Sequence, residues 1–362
     1  MRGTSRRYFQ ELYDDLESVG AGLGFSGGTH TTGFNGKGLV EDLDLLLGIL
    51  SEALSQPSFP KREVEKLRAQ ILTGLDLREQ STKDRAAMAF DEMVYAGHPY
   101  KRPDEGYPET VLSIRLKDLK AFHKKHYGPR GMVVTVVGGI DPDKAVDKVR
   151  AALGEWENDD QPPVPELPAW KPLEEKKTRR VEVSGKIQSD VVIGTAGPIR
   201  SAPEYLAAAV GNNILGQFGM MGRIGEAVRQ KEGLAYYAYS SLSGSQGPGP
   251  WSVSAGVNPK NEEKAIELIL TEVSRFITEL VEEEELSDTQ TNFIGRMPLS
   301  MESNAGVAAS LLHMEKHNLG MDYFQRFPDL VRGITREDVL AAAANYLDPE
   351  HLAEAIAGPP KE

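Results

Sequence analysis

Hydrophobic positions along this chain recur with two different spacings, and the helical spacing comes first. Within residues 5–18, Tyr8, Leu12 and Leu16 recur every four positions, which predicts an amphipathic helix. Residues 61–89 continue with a helical pattern that begins directly after a proline. The first part of the chain is therefore expected to be largely helical.

Two stretches of the same part carry strand patterns instead. Residues 19–39 are rich in glycine and predict two strands that turn at Asn35 and Gly36, a dipeptide typical of hairpins. Residues 132–139, MVVTVVGG, form a continuous apolar run, which predicts a strand buried on both faces of a sheet.

One proline-rich stretch separates two similar orders of elements. Residues 157–172 contain five prolines among acidic residues, which predicts an extended linker. Strand and helix patterns then restart and end on HLAEAIAGP, a predicted closing strand. We therefore predict an α+β fold with an internal duplication. Half-domains at 1–156 and 173–362 would each form a mainly antiparallel sheet covered by helices.

Composition narrows the possible partners and compartments. A net charge of -13 argues against a nucleic-acid partner, because phosphate binding requires clustered Lys and Arg. The absence of cysteine excludes disulfides and thiolate chemistry. No apolar run approaches the ~20 residues of a membrane span, so no membrane span is expected. The first residues have no apolar core of the kind found in a signal peptide, and a cytoplasmic location is expected.

Candidate chemistry lies in EAVRQKEGLAYYAYS, residues 226–240. The pattern predicts a helix that Gly233 ends, followed by a tyrosine-rich strand. Arg229 would lie at the end of the helix and Tyr236 early in the strand, so both donors could hold a carbonyl oxygen or an oxyanion. The alternative is structural: an Arg that complements the helix dipole and a Tyr in a half-buried strand.

These residues carry a resemblance to a known family. The pattern R-x-x-x-G-L-A-Y, preceded by N-x-x-L-G, resembles the C-terminal half of the pitrilysin/insulinase family of zinc metallopeptidases, which includes the mitochondrial processing peptidase. The upstream pattern is carried by Asn212, Asn213, Leu215 and Gly216. Further similar segments are ESVGAGLGFSGGTHTTGF and DLKAFHKKHYGPRGMVVTVVGGID, so the resemblance covers nearly the whole chain.

The resemblance implies roles for several residues. Arg229 and Tyr236 would come from the half that does not bind zinc and would hold the scissile peptide against the zinc of the other half. Substrate contacts are expected from Ser26, Gly27 and Gly28 of the first glycine-rich strand. They are also expected from Gly233 and Leu234, which lie where the predicted helix turns into the tyrosine-rich strand, a place here called the corner.

The family's zinc motif is missing from this sequence. H-x-x-E-H does not occur, and the nearest pattern is HMEKH, in which Glu315 lies on the wrong side of a helix from His313 and His317. In the family, the motif lies just upstream of a segment similar to the chain's opening MRGT. The chain is therefore expected to be N-terminally truncated.

Two further segments depart from the zinc-binding pattern. The third ligand, a Glu in the family, aligns with Gly74 or Leu75, and neither can bind zinc. Gly24 and Gly27 replace the Asn and Thr of the first glycine-rich strand. No metal and no cofactor are therefore expected in this chain, and zinc is expected in a partner subunit.

Three hypotheses follow from the resemblance. In the first, the chain is the Arg- and Tyr-bearing subunit of a two-subunit peptidase, inactive alone, that acts on unfolded peptides with a zinc-bearing homologous partner. In the second, it is a non-catalytic peptide-binding or structural homologue, like the core subunits of the respiratory bc1 complex. In the third, it is itself a zinc metalloendopeptidase whose motif was lost with the truncated start.

Overall fold

A computed structural model describes residues 1–361 of the chain. The chain forms two compact units. The first comprises Met1–Leu75, Asp104–Glu166 and Ser303–Leu312. The second comprises Asp76–Pro103, Leu167–Glu302 and the chain from His313 onward. The half-domain boundaries given above stay a prediction.

Helices dominate the described residues. In chain order they are α1 Phe9–Ser18, α2 Leu43–Ser55, α3 Lys61–Glu79, α4 Thr82–Val94, α5 Pro108–Ser113, α6 Leu116–His126, α7 Pro142–Leu153, α8 Tyr205–Gly216, α9 Phe218–Ile224, α10 Glu262–Phe276, α11 Glu283–Ser300, α12 Asn304–Lys316, α13 Tyr323–Arg332 and α14 Arg336–Tyr346. In addition, Gly225–Lys231 forms a π-helix. Within residues 1–361, no helix combines the length and the hydropathy that a membrane crossing requires.

The strands form two separate sheets. They are β1 Gly22–Gly27, β2 Thr32–Lys37, β3 Lys177–Glu182, β4 Ser189–Ala196, β5 Ala235–Leu242, β6 Pro250–Val257 and β7 Ala353–Gly358. In the first unit, β1 and β2 pair antiparallel. In the second, five strands lie in the order β3-β7-β4-β6-β5, and only the β3–β7 pair is parallel. The predicted α+β class with mainly antiparallel strands is confirmed.

The amphipathic helix at the start of the chain is confirmed as α1. Leu12 and Leu16 are buried and pack against Leu46 and Ile49 of α2. Since each buried Leu contributes ~1.5–3 kcal/mol through removal of apolar surface from water, this contact fixes α1 on α2.

The predicted turn at Asn35 and Gly36 is wrong. Asn35 lies inside β2 opposite Gly24, and the chain reverses two residues beyond β1, where the Gly28 amide donates to the Thr31 carbonyl at 3.1 Å. This register places Phe25 opposite Phe34 on one face of the hairpin. Cross-strand aromatic packing therefore outweighs the local preference of the Asn-Gly dipeptide.

The predicted strand at residues 132–139 is also wrong. The segment has no regular secondary structure, and its side chains are half-buried or exposed. Met132 and Val134 pack against a cluster of buried leucines that includes Leu47 and Leu50 of α2, so one side of the apolar run is covered. A strand requires a neighbour for its backbone groups, and the described residues place none beside this segment.

Both faces of the five-stranded sheet are covered. Successive residues of β4 point to opposite faces, so Val191 belongs to one core cluster and Val192 to the other. The first cluster unites the sheet with α8, α10 and α14, and the second unites it with α4. The predicted closing strand is confirmed as β7, whose six residues are all buried between β3 and β4.

Candidate functional site

The predicted helix before Gly233 exists and has a widened backbone. Arg229 lies in the last turn of the π-helix Gly225–Lys231. Gly233 takes a positive φ of 63° and donates its amide to the Arg229 carbonyl at 3.1 Å, which closes the helix as predicted. Short π-helical segments are rare and concentrate at functional sites.

The guanidinium of Arg229 is uncommitted. The side chain is half-buried, and within residues 1–361 it forms no hydrogen bond and no ion pair. The neighbouring cation Lys231, in contrast, pairs with Glu226 at 3.0 Å. All of the Arg229 donors are therefore available to a ligand, apart from their hydration.

Tyr236 lies at a β-bulge in β5. Ala235 pairs with Val257 and Tyr237 with Gly256, so Tyr236 has no partner of its own on β6. The side chain is 66% exposed, and no described residue hydrogen-bonds to its hydroxyl. A bulge of this kind re-aims a side chain and is common beside active sites.

The corner therefore presents two uncommitted donors on either side of Gly233. The π-helix packs against β5, which is the outer strand of its sheet. Gly233 is exposed, whereas Leu234 is half-buried and packs against the core of the second unit. No described contact joins Arg229 to Tyr236 directly, and their joint action on one substrate stays a prediction.

The three residues predicted in the glycine-rich strand lie in the first unit. Ser26 and Gly27 end β1, Gly28 follows, and all three are exposed. Within the described chain, β1 pairs with β2 along one edge only, so its other edge keeps backbone donors and acceptors free for an extended peptide. Their predicted contact with substrate stays a prediction.

The positions of the family's third zinc ligand do not fit a metal. Gly74 has no side chain, and Leu75 is 2% exposed in the hydrophobic core. The nearby carboxylate Glu79 already accepts from Arg85 at 2.6 Å. Within residues 1–361 there is no group of three or more His, Asp or Glu side chains arranged to hold a metal ion.

The histidine pair of α12 is brought together without a third ligand. The rings of His313 and His317 lie 4.8 Å apart between centroids. Burial, with a smaller effect of the nearby Arg200 cation, lowers the pKa of His313 to about 4. The same two causes lower the pKa of His317. An Arg cation beside this pair opposes the binding of a metal cation.

A polar network next to the corner was not predicted. Asp190 at the start of β4 is 2% exposed and accepts hydrogen bonds from the hydroxyls of Tyr237 and Thr82 and from the Gln188 amide. Burial raises the pKa of Tyr237, and the hydrogen bond to Asp190 raises it further. Lys83 lies 5.6 Å from the Tyr237 ring centroid. The only sequence signal was a carboxylate at the start of an apolar strand.

Fold and corner together define a metallopeptidase-like α+β chain. Residues 113–293 match the family model described as the peptidase M16 inactive domain. This match spans half of the chain, and the protein belongs to that family. The resemblance to the pitrilysin/insulinase peptidases is thereby confirmed at the level of the family.

Relatives include proteins named as peptidases and one named as a non-peptidase. An uncharacterized zinc protease of Streptomyces coelicolor is 25% identical over 96% of this chain and 76% of its own length. A non-peptidase homolog of Helicobacter pylori is 26% identical over 73% of this chain and 60% of its own length.

Solved structures share the fold. The peptidase M16 inactive domain from Pseudomonas fluorescens superposes with a TM-score of 0.90 at 24% identity, covering 99% of this chain and 86% of that one. A protease from Helicobacter pylori gives the same TM-score at 19% identity, covering 99% and 87% of the two chains. At these identities the likeness describes the fold.

Proposed function

We propose that this chain is the non-zinc subunit of a two-chain M16 peptidase and contributes Arg229 and Tyr236 to peptide-bond cleavage. The observation that carries the proposal is the uncommitted state of both side chains at one corner. Arg229 has no described partner and Tyr236 is 66% exposed, so the donors of both side chains are open to a substrate.

The chemistry of the two donors suits acyl transfer. The Arg229 guanidinium and the Tyr236 hydroxyl would donate hydrogen bonds to the carbonyl oxygen of the scissile peptide. Both bonds strengthen as negative charge develops on that oxygen, so the transition state is stabilised more than the bound substrate. Loss of one such donor typically lowers the rate by ~10²–10³.

The substrate that fits this arrangement is an extended, unfolded peptide. β5 forms the edge of its sheet, and an edge strand can add a peptide through main-chain hydrogen bonds. Because Gly74 and Leu75 do not fit zinc, the metal-bearing chemistry is assigned to a homologous partner chain that carries H-x-x-E-H.

A second candidate function is peptide binding without a catalytic share. It is favoured by the Helicobacter pylori relative named a non-peptidase homolog. The two functions predict different effects when Arg229 or Tyr236 is substituted. A catalytic donor affects turnover of bound peptide, whereas a binding residue affects only the affinity for peptide.

The test is a reconstituted cleavage assay with the H-x-x-E-H-bearing M16 chain from the same organism and a fluorogenic unfolded peptide. Arg229→Ala and Tyr236→Phe are each expected to lower kcat by ~10²–10³ with the complex still assembled, as judged by size-exclusion chromatography with light scattering. Matched controls are Arg332→Ala, also in a last helical turn, and Tyr239→Phe on the same strand. Both are expected to keep wild-type turnover.

Three other results discriminate between the hypotheses. Unchanged turnover in both corner variants would remove the catalytic role. A rise in KM with constant kcat would identify a binding residue instead. Cleavage by this chain alone would contradict the two-chain proposal.

A further inference from the structure

One segment of the first unit has a basic charge that contrasts with the acidic charge of the chain. Residues 115–125 include five Lys or Arg residues and one acidic residue, whereas the whole chain has 41 Lys or Arg and 54 acidic residues. The segment consists of α6 and its N-cap residue, all within the first unit. Its five cations are here called the basic surface of α6: Arg115, Lys117, Lys120, Lys124 and Lys125.

One side of α6 is fixed to the rest of the first unit. The His123 ring forms a 2.7 Å hydrogen bond with the Leu54 carbonyl at the end of α2. The same ring stacks on Tyr127, with 4.9 Å between the ring centroids. The Asn158 side-chain amide donates to the backbone carbonyl of Lys124 at 2.9 Å. These contacts hold the helix in one orientation, so the side away from His123 stays at the surface.

The five cations are exposed and have no carboxylate partner. Each is exposed to solvent, and within residues 1–361 none of their side chains forms an ion pair or a hydrogen bond. In contrast, Lys148 of α7 pairs with Asp44 at 2.6 Å. The acidic residue of the segment, Asp118, accepts from the backbone amide of Arg115 at 2.8 Å. The protein therefore leaves the positive charge of this surface without a direct counter-charge.

The lysines share one side of the helix with an exposed aromatic ring. Lys117, Lys120 and Lys124 follow one another at spacings of three and four residues, which places them on one side of a helix. Phe122 and Lys125 are also three residues apart and are neighbours on the helix surface. The Phe122 side chain is 58% exposed. An apolar ring therefore borders the ammonium groups.

The stability of the helix does not account for this charge. Lys124 and Lys125 lie in the last turn, where a cation interacts favourably with the helix dipole. Arg115 and Lys117 lie at the start of the same helix, where a cation opposes the dipole. Because cations occupy both ends, the positive charge serves the surface itself and does not serve the helix.

Charge and residue type select the kind of partner. A dense set of unpaired cations requires a polyanionic surface. Four of the five are Lys, which acts as a flexible point charge, whereas defined carboxylate and phosphate sites favour the planar fork of Arg. Clusters of roughly four to eight basic residues on a helix are typical of sites for anionic lipid. The Phe122 ring supplies an apolar group that can enter the boundary between headgroups and acyl chains.

We propose that the basic surface of α6 and Phe122 bind the chain to the surface of an anionic phospholipid membrane. The lysines contact the headgroups, and the Phe122 ring enters the interfacial layer without spanning the membrane. The proposal is independent of the catalytic role of Arg229 and Tyr236, because those residues belong to the second unit and the test uses no cleavage assay.

The test is co-sedimentation of the full chain with lipid vesicles. One set of vesicles is phosphatidylcholine, and the other contains equal parts of phosphatidylcholine and phosphatidylglycerol. The chain is expected to bind only the anionic vesicles at low salt. Binding is expected to be lost in ~1 M salt, where screening reduces the Debye length to ~3 Å.

The variant Lys117→Gln/Lys120→Gln/Lys124→Gln tests the charge. Each Lys near an anionic surface strengthens partition by ~5-fold, so the triple variant is expected to bind the anionic vesicles ~100-fold more weakly. The three positions are exposed, and the unfolding temperature is expected to stay that of the wild type.

A matched control removes the same total charge elsewhere. Lys144→Gln/Lys171→Gln/Lys260→Gln replaces three exposed lysines outside α6 and is expected to leave vesicle binding unchanged. If this control lost as much binding as the α6 variant, the effect would come from net charge alone, and the assignment to α6 would be overturned.

The variant Phe122→Ala tests the apolar contact. Loss of the ring is expected to weaken binding to anionic vesicles by ~5-fold, because less apolar surface leaves water. Ile187→Ala, at an 87% exposed position outside α6, is the control and is expected to leave binding unchanged.

Three contrary results would overturn the proposal. Equal binding to both kinds of vesicle, or none to either, would remove anionic lipid as the partner. Full binding by the folded α6 lysine variant would remove α6. Tighter binding of soluble polyglutamate than of anionic vesicles, with no effect of Phe122→Ala, would identify an acidic polypeptide as the partner. None of these results would change the outcome of the cleavage assay of the Arg229 and Tyr236 variants.

Discussion

At the scale of the residue, the buried Asp190 is the polar anchor beside the corner. Its carboxylate receives three donors from three different segments: Thr82 of α4, Gln188 before β4 and Tyr237 of β5. A buried carboxylate is tolerated only when its oxygens are hydrogen-bonded. The network therefore fixes the start of β5, one residue beyond Tyr236.

The Tyr237→Phe variant tests this anchor. Removal of the hydroxyl deletes one hydrogen bond to a buried carboxylate, so the free energy of unfolding is expected to fall by ~1.5–3 kcal/mol in urea titrations. Tyr239→Phe lies two residues along the same strand and removes a hydroxyl with no described partner; it is expected to change stability by less than ~0.5 kcal/mol. Equal stability of the two variants would contradict the anchoring role of Asp190.

At the scale of the element, Gly233 decides how the π-helix meets β5. Its φ of 63° lies in the left-handed region, and an added Cβ would meet no atom within 4 Å. The requirement for glycine is therefore conformational and does not arise from crowding.

The Gly233→Ala variant is expected to lose ~1–2 kcal/mol of stability in thermal or urea unfolding, because Ala pays the left-handed strain. Gly295→Ala is the matched control. Gly295 lies inside α11 with equally open space around it, and Ala is the better helix former there. The control is expected to gain ~0.5–1 kcal/mol. If Gly233→Ala were as stable as the wild type, residue 233 would not have the left-handed conformation described here.

Helix α12 supplies an element-scale pH dependence. The folded chain holds the pKa of His313 at about 4 against an ordinary value of 6.5, so the unfolded chain takes up the proton first as the pH falls. The stability contributed by neutral His313 is complete above pH ~6.5 and is lost between there and pH 4. His313→Gln is expected to show a weaker loss of stability over this range.

The comparison must be made between variant and wild type, because other groups titrate nearby. Burial raises the pKa of Asp91 to about 7, so its contribution rises as the pH falls and opposes that of His313. Urea unfolding at pH 4, 5, 6 and 7 gives the difference curve. A difference that does not vary with pH would contradict the lowered pKa of His313.

At the scale of the whole molecule, one helix belongs to a different unit from the one that its place in the chain suggests. α4 precedes the proline-rich stretch, yet it belongs to the second unit and covers one face of the five-stranded sheet. Its Phe90 and Ala89 contact a cluster that includes the small residues Ala355 and Ala357 of β7. Alanines in the sheet allow the helix to approach closely.

The Phe90→Ala variant is expected to destabilise the second unit by ~3–5 kcal/mol, because it opens a cavity in a close-packed interface. Hydrogen exchange read by mass spectrometry is expected to show reduced protection in α4, β4 and β7. Phe122→Ala, at a 58% exposed position of α6, is the control and is expected to change stability by ~0.5 kcal/mol. If hydrogen exchange in β4 and β7 were unchanged in the Phe90→Ala variant, the stability of these strands would not depend on α4, contrary to this prediction.

Local chemistry allowed several features to be predicted. The spacing of Leu12 and Leu16 predicted α1, and Gly233 predicted the end of a helix. Both features could be predicted because they depend on interactions within a few residues. The family likewise followed from short motifs around Arg229 and Tyr236. The hairpin turn and the strand at residues 132–139 were wrong, since cross-strand register and the presence of a neighbour decide such elements.

The sequence alone determined the residue types that can do chemistry: Arg229, Tyr236 and Gly233 in one motif, and no H-x-x-E-H. Only the tertiary structure decided which of these side chains stay uncommitted. The bulge at Tyr236 and the exposure of the α6 lysines depend on strand register and on packing between distant segments. These are long-range properties, because the partner that would satisfy a polar group is chosen by the fold as a whole.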